Sequence, residues 1–345
     1  MTQKTPAPKR VATLSDVARA ASVSTATVSR CLNSPERVEE TTRQRVMRAV
    51  EDLSYSPNYG AKIMAARRTN TIGAVIPTME NSIFARGIQA FQEALSLEGY
   101  TLIVASSSYR ADLEEEQIRN LIARGAEALL LIGYDRSDEI YEFLENRRVP
   151  VVLTWAFEDN SDHHWVGFNN QSAMEMLAEH VIGLGHNRIG AIMADTMMND
   201  RSRARLDGIK TVMAKHNINP DTLNIEAVRY SIETGGDAFE KLMASENPPS
   251  VVMCGNDVLA VGAMQRAKEM GLKIPHDISI TGFDDIELAQ VVEPGLTTVH
   301  VPHSDMGRKA AEMLTSWINT NTPPVSEQLD TYICKRGTLG APHLA

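Results

Sequence analysis

Two groups of residues have types and spacings that could do chemistry. Between residues 24 and 33, small polar side chains surround a single arginine: Ser24, Thr25, Ala26, Thr27, Ser29, Arg30 and Asn33. Val28 and Leu32 share one face at helical spacing, with Val23 packing just ahead. Thr25, Ala26, Ser29, Arg30 and Asn33 then point outward. Small side chains permit close approach to a groove, hydroxyls bond bases or phosphates, and a guanidinium forks onto guanine or phosphate. The chemistry on offer is recognition of double-stranded DNA, with a plain helical hairpin carrying a polar face as the alternative. The second group is scattered. Arg201 and Arg205 enter a helical stretch just past Asp195, while Asn256 and Asp284 each follow an apolar run. A planar guanidinium suits a carboxylate, a phosphate or vicinal hydroxyls. Asn both donates and accepts, and an ionised Asp accepts from sugar hydroxyls. Ile83 and Phe84 close a wall near the end of the first strand, and Trp155 ends another, where an aromatic face can stack on a sugar ring. Salt bridges at a cleft rim and core packing are the alternatives. Asp257 and Asp285 read as caps of the helices they begin.

These groups need elements to hold them. Thr13 before Leu14-Ser15-Asp16 is a capping-box pattern, and Val17, Ala18 and Ala21 share the face that follows. Ser22-Val23 is a short break, and Ser24 is the next N-cap of a helix from Thr25 to Asn33. A third helix from about Glu40 to Leu53 carries an apolar stripe of Val46, Ala49, Val50 and Leu53. Its Arg43, Arg45 and Arg48 lie elsewhere, available to phosphates or solvent. Two short helices cannot bury a core alone, so the third must pack across them. Charge agrees with this division. Residues 1–68 hold 12 Lys/Arg against 6 Asp/Glu, net +6, whereas the rest holds 22 against 38, net −16. A basic head on an acidic body suits a polyanion at the head only.

Residues 57–69 form a connector. Pro57 can start a helix and Ala61, Ala65 and Ala66 favour one, but Gly60 opposes it by roughly 1 kcal/mol. So short a segment is marginal as an isolated helix, which suits a switch that orders only with a partner. Beyond it, apolar strand-like runs alternate with helices: 71–77, 100–105, 128–132 and 149–153, then 188–194, 225–229, 250–254 and 278–281. Continuous apolar strands between helices belong in parallel sheets covered on both faces. Two such units in series predict two lobes facing a cleft, with ligand at the carboxyl ends of the strands.

Thr13-Leu14-x-Asp16-Val17-Ala18, Val23-Ser24-x-x-Thr27-Val28-Ser29-Arg30-x-x-Asn33, Thr42-Arg43 and Leu53-x-Tyr55-x-Pro57-Asn58 run without a gap. Further along stand Gly183-x-Gly185-His186-x-Arg188-Ile189, Arg205-x-x-Gly208, Asn256-Asp257-x-x-Ala260-x-Gly262 and Gly282-Phe283-Asp284-Asp285. With these motifs the chain resembles the lactose-repressor/galactose-repressor (LacI/GalR) family over about residues 11–340. Asn33-Ser34-Pro35-Glu36 and the run from Ile76 to Ala85 are most similar to the gluconate-repressor branch. The resemblance implies a three-helix DNA-binding domain at 11–56 after a tail at 1–10, a hinge helix at 57–69, and a periplasmic-binding-protein-like core at 70–345. Lobe 1 is expected over about 70–158 plus 292–320, and lobe 2 over 159–291 plus 321–339. It further implies base reading by Thr25, Ala26 and Arg30, and backbone or groove-rim contacts by Ser24, Thr27, Ser29, Asn33 and Arg37. Asn58 and Lys62 join the DNA contacts, and Met64 stands where the family wedges a Leu into the minor groove, a role an apolar Met can serve. Ile83, Phe84, Trp155, Arg201, Arg205, Asn256 and Asp284 become the effector contacts. Ser22 departs from the family's Gly in the tight turn; a positive φ there costs on the order of 1 kcal/mol.

Other function classes find less support. Gly183-Leu184-Gly185-His186-Asn187-Arg188 fails G-x-G-x-x-G at its last position and runs helix-to-strand, so a nicotinamide enzyme lacks its phosphate cradle. No P-loop or G-x-S-x-G is present. Cys31, Cys254 and Cys334 have neither disulfide nor zinc-ligand spacing, and no metal or cofactor is expected. No apolar run reaches about 18 residues, so no membrane partner is expected, and a cytoplasmic location follows from the absence of a signal-like start. A periplasmic-type sugar-binding protein would share the body but not the head. The expectation is a homodimeric DNA-binding repressor on a pseudo-palindromic operator. A sugar or sugar acid such as gluconate would control it.

Overall fold

A computed structural model describes residues 11–56, 68–80, 82–159, 161–197 and 199–343. The connector positions Asn58, Lys62 and Met64 lie outside the described residues. The chain divides into two compact units, Met1–Thr69 and Asn70–Ala345.

In the first unit, α1 (Leu14–Ala20) begins at Thr13, whose hydroxyl accepts from the Asp16 N–H while Asp16 accepts from the Thr13 N–H at 3.0 Å. The capping box thus forms as the spacing requires. Ser22 has φ +53°, so the tight turn places a non-glycine in the left-handed region. Ser24 Oγ accepts from the Thr27 N–H at 3.1 Å and starts α2 (Thr25–Asn33). After a 3-10 turn at Pro35–Arg37, α3 (Glu40–Asp52) closes the unit. Val17, Ala18, Ala21, Val28, Cys31, Val46 and Ala49 form the core, with one or more from each helix.

In the second unit, β1 (Thr71–Ile76), β2 (Thr101–Ser106), β3 (Ala128–Ile132), β4 (Val151–Thr154), β5 (His164–Gly167) and β11 (Glu327–Gln328) form one sheet in the order β11-β5-β4-β3-β1-β2. Every pairing is parallel. Helices α4 (Ser82–Leu97), α5 (Ala111–Ala123), α6 (Asp138–Asn146) and α12 (His303–Thr320) belong to this lobe. α4 and α12 cross closely at two glycines: a Cβ on Gly307 would stand 1.9 Å from the Gly87 carbonyl oxygen.

The second sheet is β7-β6-β8-β9, from β6 (Ile189–Met193), β7 (Asn224–Ala227), β8 (Val251–Cys254) and β9 (Ser279–Thr281). It too is parallel. Helices α7 (Asn170–Gly183), α8 (Asp200–Lys215), α9 (Ile232–Met243), α10 (Asp257–Glu269) and the one-turn α11 (Leu288–Val291) accompany it. The chain returns to the first lobe through β10 (Thr298–His300) and comes back through β12 (Tyr332–Cys334), and these two pair antiparallel. The lobe division differs from the sequence expectation. β5 and β11, which fall in the expected span of lobe 2, complete the first sheet instead. At four and two residues they are too short to announce a strand by periodicity, and β11 finds its partner about 160 residues upstream.

Candidate functional site

On α2, Ser24, Thr25, Ala26 and Arg30 are exposed, and Thr27 and Ser29 are half-buried. Val28 is buried and Leu32 packs on the core, so the polar row faces out as its spacing required. Ser24 and Thr27 hydroxyls lie 2.9 Å apart at the helix start. Asn33 ends α2. Arg37 is exposed beside Glu36, and Arg43 pairs with Glu40 at 2.7 Å, so Arg43 is partly neutralised on its own helix.

In the core unit, Arg205 reaches Asp284 and the carbonyl of Gly255, the residue before Asn256. Arg205 rises from α8, 3% exposed, with its guanidinium 3.8 Å from the Phe283 ring centroid. Its Nε donates to Asn170 Oδ1 at 2.9 Å, one Nη to the Gly255 carbonyl at 2.5 Å, and the other to Asp284 Oδ1 at 3.5 Å. Asn256 caps α10 through Oδ1, which accepts from the Leu259 N–H at 2.9 Å. Its Nδ2 is buried with no hydrogen-bond partner among the described residues, as are Asp284 Oδ2 and Thr281 Oγ1. Burial pushes the Asp284 carboxyl up to about 6, because Arg205 and Arg201 offset only part of the desolvation. Buried polar atoms without partners are costly, so Asn256 Nδ2 and Asp284 Oδ2, on the two strand ends that Arg205 reaches, mark a place that a ligand can complete.

Arg201 sits one turn earlier, 9% exposed, donating to Asp200 Oδ1 at 2.6 Å. Asp200 in turn accepts from the Tyr134 N–H across the cleft. Two further links join the lobes: Arg203 to Asp135 at 2.6 Å and Arg86 to Glu287 at 2.9 Å. Between them lies a cavity of about 30 Å³, lined by Ser107, Tyr109, Arg110, Glu114, Asp135 and Arg201. Tyr109 and Tyr230 face each other with ring centroids 5.9 Å apart, and burial pushes both hydroxyls up.

The aromatic pair expected to stack on a ligand is placed differently. Trp155, with φ +57° and 1% exposed, packs edge-on against Phe84 at 5.4 Å. Ile83, Phe84 and Trp155 all belong to the largest core cluster. The indole serves as a link. Its Nε1–H donates to His303 Nδ1 at 3.1 Å, which leaves the His303 proton on Nε2, 3.3 Å from the Asp284 carbonyl oxygen. Burial holds His303 down to about 3, so the ring is neutral and this tautomer is the one that fits. The Trp155 carbonyl accepts from Asn170 Nδ2 at 2.9 Å. A ring of hydrogen bonds therefore runs Arg205–Asn170–Trp155–His303–Asp284 and back to Arg205, through both lobes. Two other expectations are corrected. Asp257 does not cap α10, because Asn256 does; it accepts from Thr298 Oγ1 at 2.5 Å and the Ile286 N–H at 2.8 Å. Asp285 caps nothing and pairs with Arg336 and His300.

Sequence reasoning missed Asp200, Tyr109, Tyr230, Asn170 and His303. The two tyrosines follow β2 and β7, so the strand-end rule that found Asn256 would have found them.

Residues 13–58 match the family of bacterial regulatory proteins named lacI, and residues 178–339 match the periplasmic binding protein-like domain. The HTH-type transcriptional repressor PurR of Vibrio vulnificus is 32% identical over 309 residues, covering 88% of this chain and 91% of that protein. The chain belongs to the LacI family. Catabolite control protein A of Priestia megaterium is 30% identical over 311 residues, 90% of this chain and 93% of that one. A Lac repressor dimer, solved bound to operator and the anti-inducer ONPF, superposes with a TM-score of 0.84 at 25% identity, covering 96% of this chain and 100% of that one. This LacI-family protein is a DNA-binding transcriptional repressor regulated by a ligand of its two-lobed core. No helix among the described residues is long and apolar enough to cross a membrane.

Proposed function

We propose that this LacI-family repressor holds a pseudo-palindromic operator as a cytoplasmic homodimer. Thr25, Ala26 and Arg30 read bases. Ser24, Thr27, Ser29, Asn33, Arg37, Asn58 and Lys62 contact the backbone or groove rim, and Met64 wedges the central step. A small sugar or sugar acid, of the gluconate kind, sets operator affinity from the interlobe cleft. The observation that carries the effector reading is the pair of buried atoms without partners among the described residues, Asn256 Nδ2 and Asp284 Oδ2, at the strand ends that Arg205 reaches. A polyhydroxylated ligand supplies acceptors to the amide and donors to the carboxylate, and Arg201 is the cation for an acid group. The cavity beside Arg201, about 30 Å³, has room for about one water, so a sugar reaches that side chain only when the lobes part. Parting breaks the Arg203–Asp135 and Arg86–Glu287 links and reorders the hydrogen-bonded ring through Trp155 and His303. This is the differential contact that a ligand needs in order to shift an equilibrium.

The test is a thermal-shift screen of the full chain against sugars, sugar acids and nucleosides, followed by operator gel shifts with any compound that stabilises it. A sugar acid that raises the melting temperature and changes operator affinity is the expected result. Stabilisation by nucleosides alone would overturn the effector class, and failure to bind any duplex from its own promoter region at low salt would overturn the DNA reading.

A further inference from the structure

Next to the cleft, three side chains from three segments, Asp285, His300 and Cys334, converge where the chain passes between the lobes. His300 ends β10 and pairs with Tyr332 of β12, which puts Cys334, two residues on, on the same face as His300. Asp285 follows Asp284, whose backbone bridges His300. The result is a compact O, N, S cluster. His300 Nδ1 lies 2.9 Å from Asp285 Oδ2, Cys334 Sγ lies 3.4 Å from the same oxygen, and all three ligand-type atoms are within 4.8 Å of one another. We propose that Asp285 Oδ2, His300 Nδ1 and Cys334 Sγ form a binding site for a divalent transition metal of the zinc class.

The Sγ–Oδ2 separation already suits that role, and the imidazole would move back from Oδ2 by about half an ångström. Metal–ligand bonds of roughly 2.0–2.3 Å in tetrahedral geometry set ligand atoms about 3.3–3.6 Å apart. Both hydrogen bonds now end on one carboxylate oxygen, so a cation can take the place of the two protons that hold the cluster. The thiol proton leaves to solvent, and the imidazole proton moves from Nδ1 to Nε2, leaving His300 neutral. Thiolate and carboxylate together balance a dication. Asp285 Oδ1 is occupied by Arg336 at 2.5 Å, and Arg336 is also tied to the Leu296 carbonyl at 2.8 Å. That outer contact fixes the carboxylate with Oδ2 toward the other two donors, the usual arrangement around a metal ligand. The guanidinium charge lowers affinity, so the site favours a thiolate-seeking metal over calcium or magnesium. Tyr332 stacks on the imidazole at 4.6 Å and holds its plane. Three protein ligands leave a fourth position for water. A bound metal would tie β10 and β12 to the residue after Asp284, adding a second input to the motion of the lobes. The proposal does not depend on which effector fills the cleft.

The test titrates cobalt(II) chloride into the reduced full-length protein. The expected result is one ion per chain with a thiolate-to-cobalt charge-transfer absorption in the near ultraviolet, displaced by zinc. Cys334→Val and His300→Gln should each abolish that band, while Cys31→Ala keeps it. Should Cys334→Val unfold, His300→Gln decides, since its ring lies partly at the surface. Absence of the band in the unaltered protein overturns the site, as does a band that survives either of the first two substitutions.

Discussion

Asp284→Asn is the substitution whose consequences the structure specifies most fully. The carboxyl is fully buried, and burial raises it from 3.8 to about 6 despite Arg205. A raised carboxyl binds its proton more tightly in the folded state. Its ionisation therefore costs stability, starting as pH climbs past the unfolded value of 3.8 and complete above about 6. The shift corresponds to about 3 kcal/mol at neutral pH, and roughly half of it falls between about pH 5 and pH 7.5. The isosteric amide carries no such proton. In urea unfolding the unaltered core should lose roughly 1–2 kcal/mol relative to Asp284→Asn across that window. Trp155, Trp165 and Trp317 all lie in the core unit, so tryptophan fluorescence follows this transition without the DNA-binding head. The same variant should lose its effector response while binding operator normally. A stability difference that does not change with pH would refute the burial argument, and an intact effector response would remove Asp284 from the ligand site.

Arg30→Ala should cost about 1–3 kcal/mol on the specific operator and little on random DNA in a fluorescence-anisotropy titration; equal losses on both would reassign Arg30 to a phosphate. Operator affinity should fall steeply and linearly on a log–log plot against salt, and a flat profile would remove the basic head as the DNA surface. Gly307→Ala should destabilise the core by about 1–3 kcal/mol or more in a thermal melt, because the added carbon meets the Gly87 carbonyl; an unchanged melt would mean that α4 and α12 slide apart freely.

The parts of this structure that are legible in the sequence are those built from local interactions. Thr13 with Asp16 and Ser24 with Thr27 mark two helix starts because each cap is satisfied within three residues. The central strands β1, β3, β4, β6 and β8 show as apolar runs because both faces are covered. What escapes is set by distant partners. α12 finds its place only against α4, more than 200 residues earlier in the chain. Asn170 and His303 carry no local mark, since each earns its role from Trp155, Arg205 or Asp284. Arg205, Asn256 and Asp284 were visible as residue types at strand ends. That Asn256 and Asp284 each keep one polar atom without a partner appears only when their neighbours are placed. Trp155 shows the converse: its position beyond β4 suggested a ligand platform, and its left-handed backbone turns the ring into the core instead.

The antiparallel β10–β12 pair has a mechanical corollary. Together with the passage from β5 to α7, it means that three strands of polypeptide cross from one half of the body to the other. A body tethered by one thread can swivel freely, whereas three threads laid side by side act as an axle and leave mainly a bending motion. Whatever the captured molecule is, it must report its presence as an angle.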